Sequence, residues 1–276
     1  MGSRVASSTG MESSKPHKVD WRRRLLTAAV AIPTICLVVL SHEMASLIAV
    51  LTAITIGYRE FSQLVKYDLK INYFIFAFLC WSGSEPAIVF LATVLNVFIP
   101  LWSHGPHEGV RTGLLNVFFV HFFAVPFSYP MRLRRLGFHG ASLTLMWIIV
   151  SFASDAGALI VGNRFGKSPC CPAISPKKSW EGIFGAVAFG TITSVAITMS
   201  GLLGSPDMHV LDGAVLGILA SVFGMLGDLI ESGFKRFVDV KDASSLLPGH
   251  GGLLDRLDAL AASVPVWFFY CQYRAF

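Results

Sequence analysis

Acidic, basic and glycine residues are concentrated in one short stretch of the sequence, between Ser232 and Asp258. Near its end, Asp255 and Asp258 are three residues apart, so they share one face of any helix that begins there. Clustered carboxylates offer the hard oxygen ligands that Mg²⁺ prefers, while lysines and arginines balance the charge of phosphate oxygens. The stretch therefore has the composition of a metal–polyphosphate site.

Two further aspartates lie at the ends of apolar runs upstream of this stretch. Asp155 ends one run, and Asp228 lies near the end of another. Ionisable groups inside a membrane are costly and usually mark a functional site. Each aspartate could instead simply lie in the lipid headgroup region without a functional role. This second interpretation is less favoured if both acids point into the same polar region.

A second basic segment covers residues 162–181. Its beginning is similar to the phosphate-binding loop G-x4-G-K-[ST], but only three residues separate Gly162 from Gly166 and no strand precedes them, which excludes that loop. Two roles stay open for Arg164 and Lys167, namely phosphate contact and orientation of the chain at the headgroups. Ser179 is a candidate N-cap for the apolar helix that follows.

The composition predicts that lipid surrounds much of this chain. Of its 276 residues, 54% are hydrophobic and 14% are charged, whereas soluble domains are about 45–50% apolar and about 25% charged. These values exclude a disordered chain, a nucleic-acid-binding tail and an ordinary cytosolic enzyme. The five cysteines have no metal or disulfide spacing, and we interpret them as unpaired thiols.

The apolar runs predict an all-α fold, a polytopic transmembrane helical bundle of about nine spans, with polar catalytic loops on one membrane face. The runs cover residues 25–41, 44–58, 71–84, 86–103, 112–131, 136–154, 182–206, 213–227 and 259–273. Three regions follow from this pattern: a disordered polar tail (1–20), an N-terminal transmembrane region (21–135) and a C-terminal transmembrane catalytic region (136–276).

The two polar segments are predicted to share one membrane face because an even number of spans, two, separates them. The basic run at residues 22–24 and the two basic segments place that face in the cytoplasm or its topological equivalent, by the positive-inside rule. One cluster disagrees with this count, since Arg132, Arg134 and Arg135 fall on the opposite face.

The polar segments together resemble one enzyme family. Residues 232–258 contain S-x-x-K-R-x4-K-D and then G-H-G-G-x-x-D-R-x-D, which match position for position the signature of phosphatidate cytidylyltransferases (CDP-diacylglycerol synthases). Residues 154–167 and 174–182 are similar to the same family. The resemblance covers residues 155–258, and before that it rests on apolar spans alone.

The resemblance implies transfer of the cytidylyl group of CTP to phosphatidic acid, giving CDP-diacylglycerol and pyrophosphate. It also implies a two-cation site in which Asp228 and Asp255 bind Mg²⁺, with a second ion that is divalent or monovalent. A phosphate monoester has a second pKa near 6, so the lipid brings its own ionised oxygen nucleophile at neutral pH. The task left to the protein is charge neutralisation and in-line positioning.

The resemblance also implies roles for the remaining polar residues. Those expected to act in catalysis are Lys235, Arg236, Lys241, Asp242, His250, Arg256 and Asp258. Those expected to bind substrate are Asp155, Arg164, Lys167, Ser175, Lys177, Lys178, Glu181, Ser232, Gly249, Gly251 and Gly252. For His250 two interpretations stay open: donation to a phosphate oxygen, and a hydrogen bond that fixes the glycine-rich loop.

Two other functions remain as alternatives. A CTP-dependent polyprenol or dolichol kinase would transfer the γ-phosphoryl group, and an ion-coupled transporter would use Asp155 and Asp228 as ion ligands. The transporter predicts inverted repeats, which the sequence does not show. The expected partners are CTP, phosphatidic acid and the lipid bilayer, without nucleic acid; a homodimer is compatible with the sequence but not required by it.

Overall fold

The structure is a computed structural model, which describes residues 33–66, 85–137, 139–204, 207–240 and 252–276. The predicted tail at residues 1–20 and the predicted span at residues 71–84 lie outside this part of the chain, as does the first half of the span predicted at residues 25–41. Five predicted site residues also lie outside it: Lys241, Asp242, Gly249, His250 and Gly251.

Most of the described chain is helical. The α-helices are α1 (Glu43–Val65), α2 (Pro86–Phe119), α3 (Tyr129–Arg134), α4 (Gly140–Phe165), α5 (Trp180–Ser200), α6 (Val210–Phe237) and α7 (Leu254–Arg274). Residues 33–40 are helical too, and a π-helical turn (Val120–Ala124) and a 3₁₀ turn (Pro126–Ser128) connect α2 to α3. The all-α prediction is confirmed at this level.

One small β-element was not predicted. Strands β1 (Pro169–Cys171) and β2 (Ser175–Ser179) pair antiparallel between α4 and α5. At three and five residues they are too short to produce a recognisable alternation in the sequence. The Ser179 hydroxyl then accepts a hydrogen bond from the Gly182 amide at 3.2 Å, which confirms the predicted N-cap of α5.

Within the part of the chain that the structure describes, five segments are long and apolar enough to cross a membrane: Glu43–Val65, Pro86–Arg134, Gly140–Phe165, Trp180–Ser200 and Val210–Phe237. The chain is thus a multi-pass membrane protein, whereas the count of about nine spans stays a prediction. The four cysteines within the described ranges are free thiols.

Helix α2 reverses direction at Gly105, where φ is 76° and the helical geometry is interrupted. The two arms on either side of Gly105 pack antiparallel: the Thr93 hydroxyl of the first arm lies 3.2 Å from His121 Nε2, which follows the second arm. A Cβ placed on Gly113 would lie 3.1 Å from Val97 Cα, so the arms are in close contact. The arms correspond to two spans that the sequence predicts separately, at residues 86–103 and 112–131.

The hydrophobic core joins the two predicted transmembrane regions. Phe61 of α1 stacks on Phe234 of α6 at 5.1 Å between ring centroids, and Phe118 of α2 stacks on the same ring at 4.5 Å. Trp147 and Trp267 are almost fully buried in the same core. The N-terminal helices therefore pack directly on the helices that carry the polar residues, and a boundary near residue 135 stays a prediction.

Candidate active site

The hairpin β1–β2 and the last turns of α6 bring the two polar segments together at one end of the helix bundle. Arg236 Nε donates a hydrogen bond to the Ile174 carbonyl oxygen at 3.2 Å, so the hairpin tip is attached to α6. Lys178 Nζ forms an ion pair with Asp228 Oδ2 at 2.7 Å. The two polar segments are therefore in contact, and the membrane face that they share stays a prediction.

Helix α6 extends further than the sequence predicts. The predicted span ends at residue 227, but α6 continues to Phe237 and carries the first residues of the polar stretch 232–258. Lys235 Nζ pairs with Glu231 Oε2 at 2.7 Å one turn earlier, and i,i+4 pairs of this kind stabilise helices. Asp155 likewise lies inside its helix, because α4 ends only at Phe165.

Three acids meet where α6 packs against α7. Each of Asp228, Glu231 and Asp258 offers a carboxylate oxygen, and these oxygens lie within 4.8 Å of one another. The two helices approach closely because residue 227 is glycine: a Cβ there would lie 2.4 Å from the Asp258 carbonyl oxygen. Asp155 of α4 is within electrostatic range of both Asp228 and Asp258.

The burial of this cluster favours a bound cation. Glu231 is 2% exposed and Asp258 is 4% exposed. Burial raises the pKa of Asp258 well above its usual range, and repulsion from Glu231 and Asp228 raises it further. A hard divalent cation would relieve these costs, and the donors are the oxygens that Mg²⁺ prefers.

Asp255 shares Lys235 with Glu231 but is not one of the three clustered acids. Its Oδ1 lies 2.7 Å from Lys235 Nζ, and its Oδ2 accepts a hydrogen bond from the Gly252 amide at 3.0 Å. Although burial opposes the change, the hydrogen bond from Lys235 lowers the pKa of Asp255. The predicted pair of Asp228 and Asp255 therefore stays a prediction, because the structure groups Asp228 with Glu231 and Asp258.

Several predicted substrate-binding residues have structural partners at this end of the bundle. Ser232 Oγ donates to Asp228 Oδ1 at 3.3 Å. Glu181 Oε2 accepts hydrogen bonds from the Lys167 and Ser168 amides at 3.2 and 3.3 Å, so its carboxylate holds the chain that enters the hairpin. Ser175 is half-buried in β2. These contacts shape the site without excluding a contact to substrate.

Basic residues of both polar segments differ in burial and in their contacts with the acids. Arg164, Lys167, Lys177 and Arg256 are exposed, whereas Lys178 and Lys235 are partly buried and paired with acids. Arg256 is within electrostatic range of Asp155, and Lys178 is within range of the same carboxylate. A phosphate anion that bound at the acidic cluster together with a metal ion would therefore lie near basic side chains from both polar segments.

Two acidic residues with contacts at this site were missed by sequence reasoning. Glu231 follows Asp228 by three residues, which places both on one helix face, and this spacing was available as a signal. Glu60 of α1 contacts the start of α7, where it accepts hydrogen bonds from the amides of Leu253 and Leu254. No local pattern predicts that contact, because 193 residues separate Glu60 from Leu253.

Known proteins match this chain along most of its length. Residues 22–274 match the model of a family described as the cytidylyltransferase family. This chain belongs to the cytidylyltransferase family. The family membership inferred from the two polar segments is thereby confirmed, and the acidic cluster is a feature of a cytidylyltransferase-family protein.

Three of the relatives that match this chain are named phosphatidate cytidylyltransferase. A phosphatidate cytidylyltransferase of Haemophilus influenzae is 35% identical over 193 residues, which cover 65% of this chain and 64% of that protein. One from Pseudomonas aeruginosa is 30% identical over 274 residues, 89% of this chain and 95% of the relative. One from Bacillus subtilis is 36% identical over 143 residues, about half (52%) of each chain. The matched segment thus spans less than two thirds of the first of these relatives.

Proposed function

We propose that this chain transfers the cytidylyl group of CTP to phosphatidic acid, forming CDP-diacylglycerol and pyrophosphate. The observation that carries the proposal is the acidic cluster of Asp228, Glu231 and Asp258, flanked by Lys178 and Lys235 at the end of a membrane helix bundle. Cytidylyltransferase-family membership and the name shared by the relatives support the same reaction.

The acids of α6 and α7 are proposed to bind the nucleotide's metal ion. Asp228 would hold Mg²⁺ together with an aspartate of α7, for which the geometry favours Asp258 beside Glu231 and the family signature favours Asp255. When bound, Mg²⁺ neutralises triphosphate oxygens and stabilises charge that develops on the leaving group. A second cation, divalent or monovalent, is part of the same proposal.

The basic residues are proposed to bring two anions together. An oxygen of the lipid phosphate forms a bond to the α-phosphorus of CTP while the bond between the α-phosphorus and the bridging oxygen breaks, and pyrophosphate leaves. No proton must be removed from the nucleophile, because a phosphate monoester is largely ionised at neutral pH. Lys178, with Arg256 at the exposed edge, would neutralise phosphate oxygens, as positioning and electrostatic stabilisation require.

The proposed site lies at the membrane surface, on the cytoplasmic or topologically equivalent face. Helices α4 to α7 meet there, so diacylglycerol tails would stay among apolar helices while CTP enters from water. The basic residues of both polar segments support this orientation by the positive-inside rule.

Labelled CTP tests the reaction directly. Purified protein in detergent, with phosphatidic acid and Mg²⁺, is expected to move label from the α-phosphate into the lipid fraction and to release labelled pyrophosphate from γ-labelled CTP. Transfer of the γ-label into lipid would instead identify a kinase. Absence of both transfers in folded protein would contradict the proposed function.

A further inference from the structure

Glu60 of α1 makes an unusual contact with the helix that carries the acids of the site. Its side chain is buried in the apolar core, with 4% of the residue exposed, yet both carboxylate oxygens accept hydrogen bonds. Oε1 accepts a hydrogen bond from the Leu253 amide at 3.0 Å, and Oε2 accepts one from the Leu254 amide at 2.8 Å. A residue of the N-terminal helices thus binds the first turn of α7.

Helix α7 lacks a cap of its own. The first amides of any helix have no partner within that helix, and a nearby side chain usually accepts from them. At the N-cap position α7 has Leu253, whose side chain cannot accept a hydrogen bond. Glu60 supplies the missing acceptor from a distant part of the chain, and its negative charge is favourable beside the positive end of the helix dipole.

The first turn of α7 also carries two acids of the proposed site. Asp255 follows Leu254 directly, and Asp258 lies one turn later against Asp228 and Glu231. We infer that Glu60 is a positioning residue for the cation site, since its two hydrogen bonds fix the rotation and height of α7 against α6. Phe61, the next residue of α1, stacks on Phe234 of α6 at 5.1 Å, so one turn of α1 contacts both helices.

This inference rests on the proposed function, and the test measures how activity depends on free Mg²⁺. Glu60→Gln keeps the shape of the side chain but removes its charge and one acceptor oxygen. The concentration of Mg²⁺ that gives half-maximal α-label transfer is expected to rise about ten-fold, as is typical when a group that orients metal ligands is lost. The concentration that half-saturates the Mg²⁺-dependent rise in melting temperature, measured without substrates, is expected to rise by the same factor. The KM for phosphatidic acid is expected to stay unchanged.

A merely structural role for Glu60 predicts another result. Loss of folded protein would lower the maximal rate while the half-activating Mg²⁺ concentration stayed at the wild-type value, and that result would overturn the inference. Glu43→Gln is the matched control: it removes an acid from the same helix, but Glu43 pairs with Arg135 at the surface, so no shift is expected.

A second variant decides the question if Glu60→Gln does not fold. Leu253 has φ −65° and ψ −39°, which proline can adopt, so Leu253→Pro removes one of the two donor amides and leaves Glu60 in place. Like Glu60→Gln, it should raise the Mg²⁺ concentration that gives half-maximal activity. An unchanged concentration would overturn the inference.

The wild-type protein separates this inference from the proposed function. If the wild type requires Mg²⁺ and both variants have the wild-type half-activating Mg²⁺ concentration, the role of Glu60 is overturned but the proposed function is not. Wild-type protein that transfers no α-label, or transfers it without a divalent cation, overturns the proposed site and the inference with it.

Discussion

Asp228 is the residue through which the two polar segments of the chain meet. It pairs with Lys178 of the hairpin, accepts from Ser232 on its own helix, and lies within 4.8 Å of acids on α6 and α7. A carboxylate with this many charged neighbours is suited to bind a cation whose other ligands are phosphate oxygens. The predictions at the scale of single residues follow from these contacts.

Replacing the acids of the cluster should remove activity while the protein still inserts into the membrane. Asp228→Asn and Asp258→Asn are each expected to lower α-label transfer by about 100-fold or more, because each removes a charged cation ligand. Asp255→Asn is also expected to abolish transfer, since it removes the predicted ligand and one of the two ion pairs of Lys235. Wild-type rates in Asp228→Asn would refute the cation site.

Lys178 and its neighbour Lys177 provide a matched pair. Lys178 is ion-paired with Asp228 and partly buried, whereas Lys177 is exposed. Lys178→Gln is expected to lower kcat/KM for CTP by about ten-fold, the loss typical of one charge-assisted contact. Lys177→Gln should cause a clearly smaller loss of kcat/KM for CTP in the same assay. Equal losses would mean that the ion pair of Lys178 with Asp228 does not determine the contribution of Lys178 to activity.

At the scale of elements, the close packing of α6 on α7 brings the acids together. Gly227→Ala would place a Cβ 2.4 Å from the Asp258 carbonyl oxygen, so the helices would have to separate. We expect a loss of about 1–3 kcal/mol in the free energy of unfolding, as for other overpacked interfaces, and a marked loss of activity.

Gly224→Ala is the control for this prediction. It lies one turn earlier on α6 and faces α7 as well, but its Cβ would lie 3.6 Å from the nearest atoms, which is ordinary contact. Its thermal unfolding and activity should stay near those of the wild type. If Gly224→Ala and Gly227→Ala behaved alike, close packing at Gly227 would not explain the geometry of the cluster.

The elements also show what sequence reasoning can and cannot supply. Apolar runs predicted most helices correctly, because a membrane span must be continuously apolar. They did not predict where α6 ends, because its last turns carry Glu231 and Lys235, whose ion pair and burial depend on tertiary packing. The hairpin was missed because its strands are short, and Glu60 was missed because its partners are distant in sequence.

At the scale of the whole molecule, the hairpin and the far end of α5 should lie on opposite sides of the membrane. Helix α5 has 21 residues, which span about 30 Å at 1.5 Å per residue and so match the hydrocarbon thickness. In a chain with its cysteines replaced by serine, Lys177→Cys should react with an impermeant thiol reagent from the cytoplasmic side. Leu202→Cys, just after α5, should react only from the other side.

Labelling of both positions from the same side would refute this topology. It would also contradict the inference that the two polar segments share one face, because α5 and α6 separate them. Glu43→Cys, at the start of α1, where the side chain is partly exposed, serves as a control for reagent access to the surface of the bundle.

The central claim of this account is that the acids of α6 and α7 bind one divalent cation together. Anomalous scattering from crystals grown with Mn²⁺ and CTP tests it most directly. The account predicts a peak about 2 Å from an Asp228 carboxylate oxygen and equally close to an aspartate of α7, either Asp258 or Asp255. A map without a peak at Asp228, or with its only manganese bound elsewhere, would contradict the claim.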